Sequence, residues 1–160
     1  MESNNEYNDE LINKTDKGNF ISTSNSFTGE EQSDLLINAV KNNNLIQVKE
    51  LFDQYDNISI DQINKAGWNA LHFASYYGYT DIVVELINRK AKINLPNADG
   101  WTSLHLASYK NNIEIVKLLL SIEDIEVDSY IPGIGTPLHC ACKKNNVKVV
   151  SVLLFRADYK

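Results

Sequence analysis

The sequence predicts an all-α solenoid of stacked helix–turn–helix units with hairpin tips, preceded by a disordered N-terminal tail. Three observations lead there. A motif recurs with its His at positions 72, 105 and 139, at intervals of 33 and then 34 residues. Self-similarity at such a period marks units that cannot bury an apolar face alone and stack to do so. Within each copy, helix-start residues, helix-stop residues and apolar stripes fall in matching columns. Most of the net negative charge lies in residues 1–32, at the N-terminal end.

Residues 1–32 hold seven acids (Glu2, Glu6, Asp9, Glu10, Asp16, Glu30, Glu31) against Lys14 and Lys17, so they carry −5 of the net charge of −6. The stretch is rich in Asn and Ser and poor in large apolar groups. Its burial cannot offset the entropy of ordering it, so residues 1–28 are expected to be a disordered acidic tail. Thr28-Gly29-Glu30-Glu31 has the spacing of a capping box, which lets a helix start at residue 29. Leu35, Leu36, Ala39 and Val40 then share one helix, and Leu45, Val48, Leu51 and Phe52 the next, with Asn42 to Asn44 as the turn. This first unit, 29–65, lacks the His and the hairpin signature. It is expected to cap the stack, with a polar outer face.

The next units, 66–98, 99–132 and 133–160, align as GWNALHFASYYGYTDIVVELI, GWTSLHLASYKNNIEIVKLLL and IGTPLHCACKKNNVKVVSVLL. Asn69, Thr102 and Thr136 each precede an apolar run and are good N-caps. Pro137 follows its cap at the first helical position, where a missing N–H is harmless. Leu71 and Ala74 with their equivalents lie three apart on one face, and the small Ala allows close helix approach. Gly78, Asn111 and Asn145 tolerate positive φ and end the first helix. Ile82, Val83 and Leu86 with their equivalents stripe the second. Asp99-Gly100 favours a tight hairpin tip.

The pattern resembles the ankyrin repeat, whose T-P-L-H-x-A core stands intact at Thr136-Pro137-Leu138-His139-Cys140-Ala141. The resemblance covers residues 34–160. It implies that each His hydrogen-bonds the backbone of the neighbouring hairpin. It also implies an interaction module that grips a partner through its concave face and tips. Lys90 departs from the family, which usually has Gly after the second helix. Ile134 stands where a hairpin Gly is expected, so the third hairpin is less expected, with Pro132-Gly133 still marking a turn. The chain reaches Lys160 directly after a second helix. The expectation is therefore of an incomplete last repeat: either the polypeptide continues, which is the favoured reading, or the face around Val150 and Leu154 makes an end-to-end contact with another chain. The alternative reading makes the chain the N-terminal targeting or autoregulatory region of a longer protein. Its signalling, lipid-transfer or ubiquitin-ligase activity would then lie beyond residue 160.

Composition excludes several classes. A net charge of −6 and a pI near 5.0 argue against a polybasic binder of nucleic acid. No apolar run is long enough to insert into a membrane, and no signal pattern opens the chain. Two Cys, both in one short stretch, make no disulfide framework, so the cytoplasm is expected, or the nucleus. Three His one repeat apart cannot converge on a metal. Cys140 and Cys142, two apart on a helix, point to opposite sides and read as small core or half-buried residues. There is no phosphate loop, no H-E-x-x-H and no nucleophile elbow. The chain is thus expected to be no enzyme and to hold no cofactor or metal.

Side chains that stacking does not need are the candidates for recognition. On the first helices these are Tyr76 and Tyr77, Tyr109 and Lys110, and Lys143 and Lys144, all expected on the exposed side. Near the tips they are Trp68, Trp101, Asn97 and Asp99. Together they form an aromatic and basic strip suited to another protein. The acidic tail is expected to compete for it. Asn94 resembles the site that asparaginyl hydroxylases modify in ankyrin hairpins.

Overall fold

The computed structural model describes residues 27–157, with side chains through Phe155. The expected tail lies outside the described residues except for Phe27 and Thr28. Among the described residues eight helices follow one another: α1 Gly29–Lys41, α2 Leu45–Gln54, α3 Ala70–Tyr77, α4 Thr80–Asn88, α5 Ser103–Tyr109, α6 Ile113–Leu120, α7 Pro137–Lys143 and α8 Val147–Ala157. They stack in two rows. α1, α3, α5 and α7 pack in sequence as the inner row, and α2, α4, α6 and α8 as the outer one.

Local chemistry starts and stops each inner helix. Thr28 Oγ1 accepts from Glu31 N–H while Thr28 N–H donates to the Glu31 carboxylate, closing the box that opens α1. In the later units the His plays the part of that Glu. Asn69 Oδ1 accepts from His72 N–H at 2.9 Å, and Asn69 N–H donates to His72 Nδ1 at 3.1 Å. Thr102 with His105 and Thr136 with His139 repeat the arrangement. The stop column is αL throughout, at Asn43 (φ 51°), Gly78 (83°), Asn111 (62°) and Asn145 (56°). Lys90, the departure from the family, also sits at φ 68°. That is a conformation a Cβ penalises and the family's glycine would not.

The small column is sealed: Ala39, Ala74, Ala107 and Ala141 are all buried between neighbouring inner helices. Ile82, Val83 and Leu86, then Ile115, Val116 and Leu119, fill the space between the rows.

The tips carry less β-structure than the expected hairpins. Asn64 Oδ1 accepts from Ala66 N–H and Trp68 N–H, and Asn97 Oδ1 from Asp99 N–H and Trp101 N–H. These side chains take tip donors that a strand ladder would use. Among the described residues the β-bridge is Ile131–Gly135, in the unit where the sequence argued against a hairpin. Ile131 cannot bond the tip with its side chain. The backbone makes both bonds instead, at 3.0 and 2.8 Å.

Two further ties join the units. Asn112 Nδ2 donates back to Ser75 O (2.8 Å) and Tyr76 O (3.0 Å), and Asn146 Nδ2 repeats this to Ser108 O and Tyr109 O. On the outer loops Lys92 N–H donates to Asp61, and the Asn94 amide bridges Asp124 O and Glu126 N–H. Replacing Asn112 by Ala leaves two half-buried carbonyls unanswered. A loss of about 1–3 kcal/mol is expected in urea denaturation.

Candidate interaction face

The inner helices end on the same side of the stack, and their last residues build the face. Tyr77 is 36% exposed, Tyr109 half-buried, and Lys110, Lys143 and Lys144 exposed; Asp99 is exposed at its tip. Four of the expected residues are not surface groups. Tyr76 is 3% exposed, Trp68 3%, Trp101 5% and Asn97 5%. Trp68 lies edge-on to Tyr76 at 5.4 Å between ring centroids and to His72 at 6.2 Å. Trp101 meets Tyr109 and His105 in the same way. The tryptophans brace the helix ends from beneath, and Tyr76 is a core residue rather than an exposed one.

Tyr76 is covered from above by the next unit. Lys110 Nζ stands 4.2 Å from the centre of its ring, and Lys144 Nζ stands 4.5 Å from that of Tyr109. These are cation–π distances, and they park each ammonium at a fixed place on the face. Lys41 Nζ, 5.6 Å over the Phe73 ring, extends the series into the first unit. Phe73 stacks on Tyr77, and Tyr77 on Tyr79. The sequence reading missed Lys41, Phe73 and Tyr79. The αL column holds the signal for Lys41: with Asn43 set against Gly78, Lys41 falls in the column of Tyr76.

Charge is sorted between the sides. α3, α5 and α7 contain no Asp or Glu. The ion pairs Arg89–Asp53, Arg89–Glu85 and Lys117–Glu114 all lie on outer helices. Arg89 also covers the Phe52 ring at 5.0 Å on that side.

His72 and His105 are wholly buried, and their Nδ1 atoms accept from backbone N–H groups. Nε2 therefore carries the proton and donates to Leu95 O (2.9 Å) or Gly135 O (3.2 Å) in the next unit. Burial pushes the His72 pKa down to about 4 and lowers that of His105. Cys140 is buried and its thiol is pushed up to about 11 by burial, so it stays protonated. Cys142 is exposed, on the opposite side of α7, and not half-buried as expected. Among the described residues, no three His, Cys, Asp or Glu side chains approach closely enough to hold a metal ion. No described helix is long and apolar enough to cross a membrane.

A family model of ankyrin repeats matches the chain in three copies, over residues 8–97, 36–131 and 85–160. The chain belongs to the ankyrin-repeat family. Arrays of ankyrin repeats are protein–protein interaction modules, their stacking making an extended concave surface. The chain is also 44% identical over 45 residues to calmodulin-binding transcription activator 5 of Arabidopsis thaliana. That match takes in 28% of this chain and 5% of the relative.

Proposed function

We propose that this ankyrin array is a non-catalytic module that binds another protein through its concave face and tips. Tyr77, Tyr109, Lys110, Lys143, Lys144 and Asp99 make the contacts. Trp68, Tyr76 and Trp101 hold them in place from below. The observation that carries the reading is the run of exposed lysines along the inner helix ends, with exposed Tyr77 and half-buried Tyr109 among them. The repeat does not need them for stacking, since its core is closed by Leu, Ile, Val and Ala columns.

The test places a photo-crosslinking amino acid at position 77, on the face, or at position 117, on the outer row, in the full chain expressed in its native source. Adducts from 77 that are absent from 117 are the expected result. They should be lost when Tyr109 and Lys144 are replaced by Ala. Equal labelling from both positions would assign recognition to another surface.

A second reading makes the array a targeting or autoregulatory region within a longer chain. It is supported by the small share of the Arabidopsis relative that the repeats match.

A further inference from the structure

We infer that the concave face takes an acidic segment of a partner protein, laid in extended form across the inner helix ends. The inference rests on the interaction face proposed above and adds the chemistry of what it binds. Neither Lys110 nor Lys143 is ion-paired among the described residues, whereas the ion pairs of the outer row use Arg89 and Lys117. The helices beneath carry no carboxylate of their own. Those of α1 (Glu30, Glu31, Asp34) lie in its first half, about 10 Å of helix from Lys41 at 1.5 Å per residue. The chain as a whole is acidic, so a positive strip on this side is a local arrangement and not a consequence of composition.

The ammonium groups are also held ready. Lys110 over Tyr76 and Lys144 over Tyr109 have given up much of the freedom that a lysine loses on binding. They belong to successive units, and packed helices lie about 8–10 Å apart. An extended chain advances about 3.3 Å per residue. Acids three residues apart would thus meet successive cations.

The same mixture of rings and lysines could suggest single-stranded nucleic acid, which needs open aromatic faces for its bases to stack on. Here the Tyr76 and Tyr109 faces are covered by the protein's own ammonium groups, and Tyr77 is stacked between Phe73 and Tyr79. The geometry favours carboxylates.

The experiment uses the full chain and a fluorescein-labelled 16-residue peptide of Ser and Ala with Glu at every third position, read by anisotropy at low salt. Binding is expected. It should weaken at least about tenfold in the Lys110→Glu/Lys143→Glu variant and fall as salt is raised. Lys143→Glu alone, which disturbs no ring contact, guards against misfolding, and the melting temperature of each variant is measured alongside.

Unchanged affinity in these variants would overturn the inference, as would tighter binding of oligo-dT than of the peptide. If the peptide binds only once Glu6→Gln, Asp9→Asn and Glu10→Gln are introduced, the chain's own N-terminal segment is the occupant and a partner's segment is not. Crosslinking from position 77 in the same variants separates the two levels. Adducts that persist unchanged with Lys110→Glu keep the face and overturn the acidic ligand. No adducts at all overturn the face itself.

Discussion

Acidification from pH 7 to pH 4 is expected to cost the array about 3 kcal/mol through His72 alone, at about 1.36 kcal/mol per pKa unit. The side chain titrates near 6.5 when the chain is unfolded and near 4 when folded, because burial disfavours the imidazolium. Its folded pKa is depressed, so the unfolded state binds the proton first as the pH falls. The stability is fully present above pH 6.5, declines between 6.5 and 4, and is lost below. His105 is lowered for the same reason and adds in the same direction. Urea denaturation followed by circular dichroism at pH 7, 5.5 and 4 measures the slope. His72→Gln supplies the control, since Gln at this helix position can still close the capping box. It should be less stable at pH 7, having lost the bond to Leu95 O, yet less sensitive to pH. A wild-type stability that is flat across this window would mean that His72 is not held neutral.

Gly67→Ala is expected to destabilise by about 2–4 kcal/mol, combining an αL penalty of about 1–2 kcal/mol with an overpacking cost. Gly67 has φ +78°, and a Cβ there would collide with Ala98 Cβ and stand 3.0 Å from Ala98 N. Its carbonyl also accepts from Ala98 N–H at 3.2 Å, so one tip sits directly on the next. Neither can retreat without breaking that bond. Gly100 and Gly133 share the positive φ, but their added Cβ would meet Ile131 at an ordinary 3.5 Å, or nothing within 4 Å. Gly100→Ala and Gly133→Ala should therefore show only the backbone penalty, about 1–2 kcal/mol. Thermal denaturation of the three variants tests the ranking, and equal losses would remove the tip-on-tip contact from the account.

Much of the fold was legible because it is written in local chemistry that recurs. Asn69, Thr102 and Thr136 read as caps and are caps. Gly78, Asn111 and Asn145 read as left-handed stops and take positive φ. The ties between units were harder to see. Asn112 and Asn146 look like ordinary turn residues in the sequence, and only the stacked geometry shows their amides reaching back to the preceding helix. The third tip shows a local rule giving way. Ile134 argued against a hairpin, yet the Ile131–Gly135 backbone pair formed there because no Asn side chain took the tip donors.

The face was legible as a set of columns but not as a surface. The sequence put Tyr76 and Tyr77 together on the exposed side of α3, whereas Tyr76 is covered. That depends on Lys110, which is 34 positions further along the chain. Lys41 escaped notice because its unit lacks the His that anchors the alignment of the others.

The His bonds, the Asn bonds and the Gly67–Ala98 contact share one geometrical property: each spans a single step along the row. A gene that duplicated one 33-residue stretch would insert a module whose donors and acceptors already fit both neighbours. Recognition and stability can then evolve at different rates. The chain can be lengthened or shortened by whole modules, while the side chains at the inner helix ends drift toward new ligands without loosening the masonry behind them.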